Sequence, residues 1–315
     1  MTQRRREFIK RAAAGAALAG TFSAQTQVRG GPPVEKGKPF DVAVIGAGVF
    51  GAWTAHWLRQ QDRSVVLLDA HGPGNSRASS GGESRIIRIG YGTDEIYTRW
   101  SRRSLELWRD LAARVRLTLF HRTGVLWIMP EGDRYALASQ AVLEKLRISF
   151  EKLSRAELTT RFRQIAFGEN EWGILEPESG ALMARRAVQA VVDEAVRNNV
   201  EYLQEAVASP AGKGRLNSVT TASGRSITAG TFVFACGPWL PRVFPAVLEG
   251  RIRPTRQEVY FFGVPDRSFA PPQMPAWIDF TDEVYGIPDL ENRGFKMALD
   301  RHGPAFDPET GLRVV

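Results

Sequence analysis

Three glycines, Gly46, Gly48 and Gly51, form the turn GAGVFG, and Asp69 follows Gly46 by 23 residues. Glycines at this spacing suit a dinucleotide. The first permits a tight turn, the second lets the main chain approach a pyrophosphate, and the third lets a helix pack closely. A helix opening at this turn offers unpaired N–H groups to phosphate, and the acid can accept hydrogen bonds from ribose hydroxyls. Further on, Arg85 and Arg88 flank two isoleucines. Guanidinium forks grip carboxylates if the chain turns to converge them. In an extended chain they would sit on different faces, as surface ion pairs. Near the far end, Tyr285 precedes Lys296 by 11 residues, and Lys296 alternates with apolar residues in Gly294–Leu299. That alternation sets Lys296 and Ala298 on the face opposite Phe295, Met297 and Leu299. The same alternation fits a lysine on a solvated face.

The surrounding pattern supplies elements to hold these residues. Phe40–Ile45 (FDVAVI) reads as a buried parallel strand, Ala52–Gln61 as a helix and Ser64–Leu68 as the next strand. Strand, glycine turn, helix, strand and acid form one complete dinucleotide unit, which on these residues alone serves NAD or FAD. Ser76–Gly92 is rich in small residues, suited to a main chain that wraps a ligand. Thr93–Arg116 has helical periodicity, with Tyr97, Trp100, Leu107, Trp108, Leu111 and Val115 expected mostly in the core. Ser154 and Glu157 predict a capping box. Ala184–Asn198 reads as a helix with a valine-rich stripe. Strands are expected at Val200–Leu203, Thr231–Ala235, Gln257–Gly263, Trp277–Phe280 and Val284–Ile287.

Charge is uneven along the chain. Lys and Arg number 42 against 34 Asp and Glu, a net charge of +8, yet half of it falls within residues 1–11. The run Arg5-Arg6-Glu7-Phe8-Ile9-Lys10 matches a twin-arginine export signature. A short apolar stretch and small residues follow, which predicts export to the periplasm and no stable membrane span. No later run interleaves basic and aromatic residues, so nothing argues for nucleic acid. One cysteine, Cys236, rules out an intrachain disulfide framework, and the four histidines lack ligand spacing.

Beyond these patterns, the chain resembles the D-amino-acid-oxidase type of FAD-dependent flavoprotein, on its sarcosine oxidase and N-methyl amino acid oxidase side. The residues that carry the likeness are FDVAVIGAGVFG, LLDA (Leu67–Ala70), GGESRIIRIGYG (Gly81–Gly92), RSLELW (Arg103–Trp108), TGVL (Thr123–Leu126) and LEPESGAL (Leu175–Leu182). It continues through ACGPW (Ala235–Trp239), RQEVYFF (Arg256–Phe262), VYGIP (Val284–Pro288) and GFKMALD (Gly294–Asp300), in order from about residue 38 onward. The resemblance implies an α/β protein, α+β overall, with a Rossmann-like FAD-binding domain at 38–120 and 181–245. An antiparallel-sheet substrate domain at 121–180 and 246–315 would interleave with it, after a signal and linker at 1–37. FAD would lie on Gly46, Gly48, Gly51, Asp69, Ser79, Ser80, Arg85, Gly237 and Trp239. Lys296, Arg85 and Tyr285 would act at the flavin, with Lys296 near its N5 promoting reaction with oxygen. Arg88 and Asp300 would meet the substrate, with Arg88 on its carboxylate. The implied reaction oxidises a secondary or N-methylated amino acid, transfers hydride to flavin N5 and yields hydrogen peroxide.

Two departures qualify that likeness. Gly81 stands where such oxidases often carry histidine, and Asp300 stands in place of a pocket histidine, so sarcosine is one candidate among several amines. The chain ends at Val315 in GLRVV, and the resemblance implies a further Gly-rich segment closing the FAD domain. A C-terminal truncation is therefore expected. The alternatives are a non-catalytic remnant of such a flavoprotein, a flavin amine dehydrogenase using another acceptor, or an NAD-dependent enzyme. Cys236 is expected to be a small buried thiol.

Overall fold

The computed structural model describes residues 38–211 and 214–313. The export signature lies outside them. In chain order the elements begin with β1 (Phe40–Ile45), α1 (Val49–Gln60), β2 (Val65–Leu68), β3 (Arg85–Ile87), α2 (Glu95–Val115), β4 (Phe120–His121) and β5 (Val125–Pro130). Next come α3 (Arg134–Lys145), β6 (Glu151–Leu153), α4 (Arg155–Arg161), β7 (Glu171–Glu176), β8 (Gly180–Leu182), α5 (Ala184–Arg197) and β9 (Glu201–Leu203). The last are β10 (Ser218–Thr220), β11 (Ser226–Phe234), β12 (Val259–Phe262), β13 (Ala276–Asp279), β14 (Val284–Ile287) and β15 (Phe295–Leu299). The fold is α/β, with both parallel and antiparallel sheets.

The first sheet runs β10-β11-β1-β2-β9. β1 lies at its centre, parallel to β11 on one side and β2 on the other. Burial on both faces explains the unbroken apolar run of β1, whose last four residues are all buried. Helix α1 packs on α5, and each buries small or branched residues, Ala52 and Ala55 in α1 and Ala187, Val188 and Val191 in α5. β11 is longer than its apolar half, Thr231–Ala235, suggests. Its first residues, Ser226–Thr228, pair antiparallel with β10 at the sheet edge and alternate exposed with buried.

A second sheet runs β12-β15-β14-β13-β5-β7-β6. It is not wholly antiparallel as expected, because β13 joins β5 in parallel. Those two strands bring together separate stretches of chain, so no hairpin fixes their direction. Register and alternation divide this sheet into two faces. One carries Leu126, Ile128, Leu175, Trp277 and Phe295, buried beneath Leu158 of α4 together with Phe162 and Met274. The predicted capping box opens α4. The Ser154 Oγ accepts the Glu157 N–H, and the Glu157 carboxylate accepts the Ser154 N–H. The other face carries Trp127, Ile174, Ile278, Tyr285, Ile287, Lys296 and Phe261.

A small sheet, β3-β8-β4, stacks on that second face. Ile86 and Ala181 pack against Tyr285 and Ile287. In α2 the buried side chains are Thr98, Leu105, Trp108 and Leu111. Tyr97 and Trp100 are 49% and 60% exposed, against the expectation of a core role. They sit in the first turns, where the covered side of α2 is the one that carries Thr98. Among the described residues no helix is long and apolar enough to cross a membrane.

Candidate functional site

The glycine turn is shaped as its spacing requires. Gly46 has φ +107°, and a Cβ there would overlap the Ala235 carbonyl oxygen of β11's end. At Gly51 a Cβ would overlap the Gly46 carbonyl, so this glycine permits α1 to start so close to β1. Gly48 is the N-cap of α1 with no side-chain cap, and only the Ser80 Oγ comes near its missing Cβ. The N–H groups of Gly46, Ala47 and Val49 go to the Leu68 carbonyl, Asp69 and Ser80, so what this cradle offers an anion is the start of α1 at Gly48, Phe50 and Gly51. Asp69 ends β2 and accepts the Ala47 N–H at 2.7 Å and the His71 N–H at 2.8 Å. Its carboxylate therefore braces the turn as well as standing at its edge.

A single segment leads from this cradle to the second sheet. The Ser80 Oγ accepts the Val49 N–H at 3.3 Å. The Ser79 carbonyl accepts Arg85 Nη2 at 2.6 Å, and Arg85 Nη1 donates to the Ser84 carbonyl at 2.9 Å. The Ser84 carbonyl also accepts Lys296 Nζ at 2.8 Å. Residues 79–85 thus touch the glycine turn at one end and the β15 lysine at the other.

Lys296 is 1% exposed, so the alternation of β15 turns it inward and not to solvent. Its ammonium lies 5.9 Å from the centre of the Tyr285 ring. Its pKa is lowered from 10.5 to about 8, chiefly by burial and then by the positive charge of Arg85, with Glu83 opposing both. Burial likewise raises the Tyr285 phenol, while Arg85 lowers it and Asp300 raises it. Lys296, Tyr285, Arg85 and Asp300 are therefore one electrostatic neighbourhood. Asp300 is exposed at the end of β15, its N–H bonded to the Glu283 carbonyl.

Arg88 belongs to a separate part of the same face. β3 stops at Ile87, and Arg88 starts the loop toward α2. Its Nη1 donates to the Gly90 carbonyl at 2.7 Å and to the Tyr135 hydroxyl at 3.1 Å. Its guanidinium carbon lies 4.3 Å from the Tyr91 ring centre and 5.0 Å from that of Trp127. Trp127, Tyr135 and Phe280 form a cluster of rings 5.4 to 5.9 Å apart. Arg85 and Arg88 share no hydrogen-bond partner, and the two arginines do not converge on each other.

Cys236, Gly237 and Trp239 follow β11 beside the turn. Gly237 has φ +50°, and a Cβ there would meet nothing. The Trp239 indole N–H donates to Glu309 at 3.1 Å, and its ring lies near His71. Cys236 is half-buried where full burial was expected, because it lies past the strand in a short turn. Burial and Asp69 raise its thiol to about 11, which holds it protonated and unreactive near neutral pH.

Residue patterns alone did not single out Glu176, Tyr135 or Trp127. Glu176 lies within LEPESGAL, but nothing local marks a carboxylate at a strand end as buried. Its oxygens accept the N–H groups of Ile89 and Gly90 at 2.7 and 2.8 Å, and the Ser179 hydroxyl donates to one of them. Burial raises its pKa, while Ser179, the two N–H groups and Arg88 oppose that shift.

Comparison with known proteins places this geometry. The family model described as FAD dependent oxidoreductase, DAO, matches residues 41–310. The chain is 28% identical over 277 residues to the monomeric sarcosine oxidase of Bacillus sp. (strain NS-129), covering 86% of this chain and 71% of that protein. It is 30% identical to the peroxisomal sarcosine oxidase of Homo sapiens, covering 86% of this chain and 70% of that one. The fold is similar to that of NikD, described as an unusual amino acid oxidase essential for nikkomycin biosynthesis. The TM-score is 0.70 at 24% identity, over 88% of this chain and 74% of that chain.

Proposed function

The chain belongs to the FAD dependent oxidoreductase family, and from that premise we propose that it oxidises a secondary or N-methylated amino acid. The observation that carries this reading is the buried Lys296, held beside Tyr285 and Arg85 at the end of a segment that begins on the nucleotide turn. The cradle fits FAD. Gly46 and Gly51 let the turn and α1 pack against the Ala235 and Gly46 carbonyls, and Gly48 leaves the main chain approachable. Gly46, Gly48, Gly51, Asp69, Ser79, Ser80, Gly237 and Trp239 would hold the cofactor.

Flavin, when bound, takes an electron pair from the substrate and returns it to oxygen as hydrogen peroxide. The protein's own contribution is position and charge. Arg88 would grip the substrate carboxylate. Its Nη1 is taken by Gly90 and Tyr135, which leaves the edge formed by Nε and Nη2 for two parallel hydrogen bonds. Lys296 carries its proton on Nζ below about pH 8 and keeps that charge away from water. A cation there favours the step in which neutral oxygen becomes an anion. Burial first and Arg85 second lower the lysine's pKa, and Tyr285 and Asp300 would face the substrate.

The test is a spectrum of the flavin-loaded protein under anaerobic titration with N-methylglycine, larger N-methyl amino acids and cyclic imino acids. Bleaching by one of these classes, reversed on admitting air, is the expected result. A flavin that stays oxidised with every one of them would remove the reading. We also propose that the folded chain leaves the cytoplasm by the twin-arginine route and resides in the periplasm. Replacing Arg5 and Arg6 by lysine should retain the full-length protein in the cytoplasmic fraction. Unchanged periplasmic recovery would contradict this.

A further inference from the structure

We propose that Glu176 is a positioning residue that presents Arg88 to the substrate carboxylate. The inference rests on the reading of Arg88 given above. Arg88 itself lies in a loop, which by composition has little to hold it. The loop is anchored from outside, and its central anchor is one carboxylate. Both Glu176 oxygens are used on consecutive N–H groups, those of Ile89 at 2.7 Å and Gly90 at 2.8 Å. Gly90 then offers its carbonyl to Arg88 Nη1 at 2.7 Å. The path from acid to guanidinium is therefore short: Glu176, the Gly90 main chain, Arg88.

Two further contacts fix the same segment, and a third holds the acid. Ser101 donates its hydroxyl to the Arg88 carbonyl. Ser139 accepts the Gly92 N–H at 2.7 Å, and Ser179 donates to Glu176. Gly90 has no room for a side chain, since a Cβ would lie 2.9 Å from the Trp127 ring and 3.2 Å from Glu176 Oε1. The carboxylate reaches the loop only because this residue is glycine. Glu176 is 1% exposed, so it does not serve as a solvent-facing ion pair. An acid this buried is retained at a desolvation cost unless its acceptors are used, and here both oxygens accept main-chain N–H groups of the loop that carries Arg88.

A carboxylate is the group that fits. It accepts at both oxygens, whereas an amide of the same shape has one acceptor and would turn an N–H toward another N–H. Glu176→Gln should therefore loosen the loop with little change in volume. The measurement uses flavin-loaded protein and two probes, N-methylglycine and N-methylglycinamide, in which an uncharged amide replaces the carboxylate, with dissociation constants read from the flavin spectrum. Expected is weakening of N-methylglycine by about tenfold in Glu176→Gln, with N-methylglycinamide unchanged. Glu176→Asp, which keeps both acceptors, should fall between the parent and the glutamine variant. If Glu176→Gln does not fold, Glu176→Asp becomes the deciding variant by the same ratio.

Equal weakening of both probes would overturn the proposal, because a structural defect does not distinguish them. No weakening of either would also overturn it. Arg88→Lys separates this idea from the one beneath it. If Arg88→Lys leaves the ratio of the two probes unmoved, the reading of Arg88 fails and the role of Glu176 fails with it. If Arg88→Lys collapses the ratio and Glu176→Gln does not, Arg88 stands and Glu176 alone is refuted.

Discussion

At the Gly46–Gly51 turn the functional atoms are main-chain N–H groups, whereas on the β14–β15 face they are side-chain tips. The turn works by leaving atoms out. Its three glycines make space, and Asp69 braces the result through the Ala47 N–H. The lysine face works by enclosing atoms. Lys296 is inserted beneath β3 and β8, and its pKa follows from that enclosure. Adding an atom should therefore destroy the first region, while the second should tolerate changes of shape and respond to changes of charge.

Gly51→Val tests the first half of that contrast and carries the largest expected effect. The new side chain overlaps the Gly46 carbonyl, which is main chain and cannot swing aside. A loss of at least about 3 kcal/mol is expected, with no flavin retained on purification. A variant that melts like the parent and remains yellow would show that α1 can shift away from β1.

Lys296→Met tests the second half. The volume is kept and the charge removed, so the protein should fold while reoxidation by oxygen slows by about a hundredfold. In the parent that rate should fall as pH rises through about 8, where Nζ loses its proton. The methionine variant should be flat across the same range. Stability has the opposite trend. The folded pKa is below the unfolded value of 10.5, so between about 8 and 10.5 the unfolded chain binds more protons. This lysine's contribution should therefore make the parent more stable as pH rises through that window and level off above it. Melting curves of parent and variant that run parallel would refute the buried placement.

Smaller effects sharpen the edges of the comparison. Asp69→Asn keeps one acceptor for the two N–H groups of Ala47 and His71, and FAD affinity should fall about fivefold. An unchanged affinity would mean that Asp69 is only a neighbour of the turn. Ser154→Ala removes the cap of α4, on the face of the second sheet remote from Lys296. It should cost about 1 kcal/mol of stability and leave the proposed amine oxidation untouched. A lowered turnover would show that the two faces communicate.

The difference between regions also explains what could be read from sequence. Gly46, Gly48, Gly51 and Asp69 lie within one strand-turn-helix-strand unit, so their spacing contains their geometry. The capping box at Ser154 and Glu157 is local in the same way, as are α1, α2 and α5 to within a few residues. The burial of Lys296 is not local. It depends on β3 and β8 covering β14 and β15, and alternation in β15 is compatible with either outcome. Tyr97 and Trp100 show the reverse error, since helical periodicity finds a stripe without saying how far along the helix it is covered. Glu176 was invisible because its partners are main-chain N–H groups of a distant loop, which carry no side-chain signature.

The position of β11 has a consequence for the order in which the chain is made. β1 leaves the ribosome early and Leu68 of β2 soon after, yet Ile45 and Gly46 meet their second neighbour only when Ala235 arrives. By then β5 and β7 exist, but β13, β14 and β15 do not. The nucleotide cradle can thus be completed while the strand bearing Lys296 is still unsynthesised. Birth order separates the two halves of the site: the part made of backbone comes first, and the charge it is to be paired with arrives last.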